Sequence, residues 1–134
     1  MHEQDETFLV REPNLHDARL FSLVLTDGGL QIDCESTTGQ RFRLSLQDLV
    51  RVRADNFREG NIILEIRRYR GASCPAALIK TAFGAENDGS TDWLSGITDQ
   101  IRRDDWTLVV LESSYGCELV ALAKGQLRID AYSD

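Results

Sequence analysis

The sequence predicts an α+β domain: a mostly antiparallel curved sheet or partly closed barrel of about eight short strands, with one amphipathic helix packed on it. Three observations carry that expectation. Short segments in which apolar and polar residues alternate recur at close spacing, as in antiparallel strands with one wet face. One later segment changes to the helical period. Turn formers such as Gly28-Gly29, Gly39 and Gly125 punctuate the alternating segments.

The elements follow in order. Residues 19–27, RLFSLVLTD, are apolar and β-prone. Residues 30–36 place Leu30, Ile32 and Cys34 on one side and Gln31, Asp33 and Glu35 on the other. Residues 41–47 turn Phe42, Leu44 and Leu46 inward and Arg41 and Arg43 outward, and 49–53 set Val50 and Val52 against Arg51 and Arg53. Residues 61–69 align Ile62, Leu64 and Ile66. Residues 76–83, AALIKTAF, fit a short helix or a strand equally well. From Ser90 or Thr91 as N-cap to Arg102 and Arg103, the spacing predicts a helix burying Trp93, Leu94, Ile97 and Ile101. Residues 107–113, 117–123 and 126–132 return to strand. The first two are apolar on both faces and so central, and the last alternates as an outer strand does.

A chain of 134 residues suits one domain spanning 1–134, with residues 1–14 a poorly ordered or extended N-terminal segment. At 42% apolar and 28% charged residues the composition is that of a globular protein and argues against wholesale disorder. No apolar run reaches the ~18 residues of a membrane span. The acidic start, MHEQDETFLVREP, is unlike a secretory signal. Cys34, Cys74 and Cys117 are odd in number and far apart, which is neither a disulfide framework nor a zinc pattern. Reduced thiols in a cytoplasmic protein are the expectation.

The net charge of −7 disfavours nonspecific nucleic-acid binding, which draws its affinity from phosphate contacts. The charge is uneven: the balance is −6 over residues 1–36, +4 over 37–74 and −5 over 75–134. The basic middle nominates one interaction face, Arg41, Arg43, Arg51, Arg53, Arg67 and Tyr69, projecting from three strands read as neighbours. Such a face suits an acidic protein partner. The same arginines are also placed to pair with Asp33, Glu35, Asp48 and Glu65.

Catalytic patterns are absent. The His16-Asp17 doublet resembles a phosphohydrolase metal ligand pair, but His2 is the only other histidine, and Pro13 and Asn14 mark a turn into a strand. No metal, cofactor or catalytic residue is expected. Gly-x-Ser-x-Gly, Gly-x-x-x-x-Gly-Lys and Gly-x-Gly-x-x-Gly do not occur. The Asp104-Asp105 pair reads as a solvated helix end.

HDARL, followed some forty residues later by FREGNIILEIR, resembles small bacterial proteins of unknown function, some of them like immunity proteins that neutralise toxins. The resemblance covers about half the chain and rests on His16, Asp17, Asn61, Ile62 and Ile63. It implies a β-rich single domain and no particular chemistry. The expected function is therefore non-enzymatic: a cytoplasmic protein acting through a protein interface, with self-association as a homodimer through the last strand or the arginine face. A toxin-neutralising immunity protein and a small-ligand-binding barrel are the alternatives.

Overall fold

In the computed structural model, which describes residues 8–84 and 92–133, the chain forms one antiparallel eight-stranded sheet that does not close, together with two helices. The strands are β1 (Arg19–Thr26), β2 (Gly29–Glu35), β3 (Arg41–Gln47), β4 (Leu49–Asp55), β5 (Asn61–Arg70), β6 (Thr107–Tyr115), β7 (Glu118–Ala123) and β8 (Leu127–Tyr132). Their order in the sheet is β4-β7-β6-β5-β1-β2-β3-β8. Each lies within two residues of the segment that its alternation marks. Residues 76–83, which the sequence left open, supply α1 (Ala76–Ala82), so there are two helices rather than one; α2 is Asp92–Asp104. The N-cap expected at Ser90 or Thr91 lies outside the described residues.

Two long bent ribbons dictate the curvature. β3 runs into β4 through Asp48 alone, whose φ of 55° lies in the left-handed region that a short polar side chain tolerates. β7 runs into β8 through three residues, Lys124 to Gln126. Lys124 N–H donates to Asp48 O (2.9 Å) and Gly125 N–H to Gln47 O (3.1 Å), so the two bends are tied together. β4 then pairs with β7 while β3 pairs with β8, and the two pairs end up as opposite margins of the sheet.

The sheet has two apolar sides. On the concave side, Leu30, Ile32, Leu44, Leu46 and Leu127 from one half meet Ile66, Val109, Leu111, Leu119 and Ala121 from the other. Strands far apart in the order share this core, so the sheet must curl over itself. On the convex side, Tyr69, Leu108, Val110, Val120 and Leu122 of β5, β6 and β7 pack with Ile79 and Ala82 of α1, Ile101 of α2, and Trp106. β6 and β7 are thus covered on both faces, as their unbroken apolar runs require.

One detail adds to the sequence reading and a second revises it. Of the N-terminal segment, residues 8–10 run beside β5: Val10 N–H donates to Ile66 O and Arg68 N–H to Phe8 O, both at 2.9 Å, and Phe8 stacks on Tyr69. They line the edge of β5 beyond the point where β1 stops pairing with it. The second concerns Trp93, which is only half-buried, against the Phe83 ring at 5.3 Å, and does not join the core stripe. At 100° per residue Leu94 lies within about 20° of Ile101 around the helix, whereas Trp93 lies about 80° away. Trp93→Ala is accordingly expected to cost only about 1–2 kcal/mol in a urea titration, the value of a partly covered ring pair.

Candidate functional site

The His16-Asp17 doublet is built into a turn. His16 N–H donates to Asn14 Oδ1 (3.1 Å) and the ring Nδ1–H to Leu64 O (2.8 Å), while Nε2 lies 3.6 Å from Asp17 Oδ2. Asp17 takes a φ of 64°, and its N–H donates to Ile63 O. Both side chains are more than half exposed. The doublet therefore anchors the turn entering β1 to β5. Among the described residues no group of three or more His, Cys, Asp or Glu side chains is placed to hold a metal ion. The adjoining cleft, about 360 Å³ and lined by Leu9, Arg11, Glu12, His16 and Glu65, is open to solvent.

The thiols are poor nucleophiles. Burial, with Asp33 adjacent, pushes Cys34 up to about 12, and burial together with the charge of Asp105 pushes Cys74 up to about 11. Cys117 is also raised, by burial and then by Asp55 and Glu118. All three are free, and Cys74 alone is not fully buried. At pH 8 a thiol reagent is expected to label Cys74 slowly and the other two only in denaturant; fast labelling of Cys34 in the native protein would contradict this environment. Because each thiol titrates higher folded than unfolded, its contribution to stability is complete below the ordinary value of 9.0. It is lost as the pH climbs through the folded value, about 12 for Cys34.

The six residues nominated as one face are not brought together. β3, β4 and β5 are not neighbours: β4 forms one margin of the sheet, β3 lies next to the other, and β5 is in the middle. Arg51 and Arg53 lie on the helix-bearing half, where Arg51 covers the Phe83 ring (5.2 Å) and Arg53 pairs with Asp55 (3.1 Å). Arg67 sits between Glu65 and Glu112; burial works against its charge, but the hydrogen bond and charge of Glu112, with Glu65, outweigh it and hold the guanidinium above its ordinary range. Tyr69 is buried, at 8% exposure, under Phe8. Arg41 and Arg43 stay together on the outer face of β3, as Arg51 and Arg53 do on β4, but the two pairs lie toward opposite margins of the sheet.

The outer face bearing Arg41 and Arg43 is the candidate site. Where β1, β2, β3 and β8 form the sheet, the outward residues have no helix over them among the described residues, since the helical core engages residues of β4 to β7. Phe21 points outward at a bulge between Leu20 and Ser22, after which Leu23 resumes the inward side, and Arg19 and Arg41 lie 5.9 and 5.2 Å from the Phe21 ring centre. Arg43 stacks on Tyr132 at 4.8 Å and donates to Asp33 Oδ1 at 2.8 Å. That hydrogen bond, and then the Asp33 charge, raise the Arg43 value. Glu35 holds Arg41 at 3.4 Å and Arg19 at 3.7 Å. Phe21 and Val24 remain 37% and 45% exposed among these charges. Sequence reading missed Phe21, Val24 and Tyr132 because the bulge breaks the alternation of β1, and because the neighbourhood of β8 and β3 is not visible along the chain.

No protein-family model, no curated protein and no solved structure matches the chain.

Proposed function

We propose that the chain is a non-enzymatic cytoplasmic bacterial protein that works through a protein–protein interface on the outer face of β1, β2, β3 and β8. One observation carries the reading: among the described residues no helix packs on this half of the sheet, and there two aromatic rings, Phe21 and Tyr132, lie beneath arginines held by carboxylates. Exposed aromatic and arginine side chains on a rigid sheet are what interface anchors consist of. Pre-paired arginines stay oriented and lose little freedom on docking. Partners recovered by cross-linking from a native extract are expected to disappear with Phe21→Ala and Tyr132→Ala and to persist with Arg103→Ala, on the exposed side of α2. Equal recovery with all three variants would defeat the reading.

A second reading, neutralisation of a basic toxin, draws on the helix-bearing half. Asp55 stands opposite Glu118, and Glu65 opposite Glu112. Like charges directly opposed weaken a sheet, and although Arg67 bridges Glu65 and Glu112 and Arg53 holds Asp55, these four acids outnumber the two arginines, an excess that a cationic partner would offset. The resemblance of HDARL and FREGNIILEIR to immunity-like proteins points the same way. Partner loss on Glu112→Lys with retention on Phe21→Ala would select this reading over the first.

A further inference from the structure

We infer that β8 is a self-recognition edge, and that two copies of the chain pair antiparallel through it with Ile129 on the two-fold axis. This deepens the interaction reading by naming a second copy as the partner of one specific element.

β8 pairs with β3 on one side only, and among the described residues nothing bonds to the backbone on its other side. It has six residues, with no proline, bulge or lysine to blunt it. The opposite margin of the sheet differs, because Leu49 N–H at the start of β4 donates to Gly28 O (2.9 Å) in the β1–β2 turn. β8 is thus the more open of the two margins.

The charges choose the register. Directly opposed residues in an antiparallel pair share a face, so a two-fold axis can pass through Arg128, Ile129 or Asp130 but not between them. An axis at Arg128 or Asp130 sets each of those charges against its own copy. An axis at Ile129 sets Arg128 of each chain opposite Asp130 of the other, twice, and Leu127 opposite Ala131.

The same register completes a pattern already present in the sheet. Asp33 is opposite Arg43, and Arg43 is opposite Asp130, so the cross-strand row runs acid, base, acid and stops at the edge. The partner's Arg128 would supply the next base. Among the described residues Arg128 and Asp130 form an ion pair with each other at 3.5 Å, and at 69% and 58% side-chain exposure both remain open to a partner. An interface of six residues a side is small, so the association belongs in the micromolar range.

The full chain is expected to move from 15.1 kDa toward twice that mass in light scattering as its micromolar concentration rises. Arg128→Asp and Asp130→Arg, prepared separately, each oppose like charges twice and should weaken self-association about tenfold. Mixed together they should form a heterodimer at least as tight as the parent, because every opposed pair is then complementary. As a readout that leaves both charges in place, Ile129→Cys in a mild oxidant such as oxidised glutathione should give a disulfide-linked dimer, since only this register sets residue 129 against itself. A parent chain that stays monomeric overturns the inference, and so do single variants as dimeric as the parent, a mixture that remains monomeric, or no cross-link through position 129. None of these results changes the Phe21 and Tyr132 recovery experiment, so failure of the pairing and failure of the interface reading are separable.

Discussion

Replacing Trp106 by alanine is expected to remove about 3–5 kcal/mol of stability, the usual cost of deleting a fully enclosed large aromatic. Trp106 is 4% exposed and follows α2 directly, where its N–H donates to Ile101 O at 3.1 Å. Its ring fills the convex core with Leu108, Val120 and Leu122 and is capped by the Lys124 ammonium at 5.6 Å. The backbone there is fixed on both sides: Gly71 N–H donates to Trp106 O, and Arg70 holds Asp105 at 2.6 Å. A cavity under α1 and α2 cannot collapse without moving the sheet, so most of the loss should persist after relaxation. Urea unfolding of Trp106→Ala beside Trp93→Ala checks the contrast. Comparable losses would mean that Trp93 carries as much of the helix packing as Trp106.

Why the sequence favoured the wrong tryptophan is instructive. Trp93, Ile97 and Ile101 follow the i, i+4, i+8 spacing, which drifts around a helix, whereas Leu94, Ile97 and Ile101 hold a straighter line. Trp106 sits past the end of the periodic segment, where no pattern marks it. The strands were legible because each is half-covered by the concave core, and a single wet face imprints alternation on the chain. β6 and β7 were legible by its absence. α1 was not, since Ala, Leu, Ile and Lys over seven residues satisfy either period, and the convex core shows which of them are buried, Ile79 and Ala82.

The candidate site was less legible than the fold for one physical reason. Alternation reports which side of its own strand a residue occupies, and nothing about which strand lies next to it. Arg41 and Arg51 are ten positions apart and both point outward. The bend at Asp48 nevertheless sends β3 and β4 toward opposite margins, and the six-residue face divides. Pairing between β3 and β8, about ninety residues apart, instead brings Tyr132 to Arg43 and Asp130 to the row that begins at Asp33. The arginines do pair locally, Arg43 with Asp33 and Arg41 with Glu35, because those partners lie across a short turn and their register follows from it.

The other large effect is expected at Asn61, a polar side chain only 1% exposed. Its Oδ1 accepts from Cys117 N–H and Arg58 N–H, both at 2.9 Å, and its Nδ2 donates to Leu20 O (3.3 Å) and Arg58 O. One amide thus joins the start of β5, the preceding loop, β1 and the β6–β7 turn. Gly116 makes room for it: φ is 90°, and a Cβ there would clash with Asn61 Oδ1. Asn61→Leu strands several backbone groups at once, each costing about 1–3 kcal/mol where buried, so a total loss of about 3–5 kcal/mol is expected. Asn61→Asp keeps the acceptor but turns a carboxylate oxygen toward the Leu20 and Arg58 carbonyls. Burial and those carbonyls hold the new carboxyl above its ordinary value of about 3.9 in the folded state. The stability linked to its protonated form is therefore complete below about pH 3.9 and lost as the pH rises through the folded value. The stability gap between Asn61→Asp and the parent, measured by urea unfolding, should accordingly be large at pH 7 and narrow toward pH 4. A gap independent of pH would show that the Nδ2 side of the amide contributes nothing, and that the two bonds accepted by Oδ1 hold the turn alone.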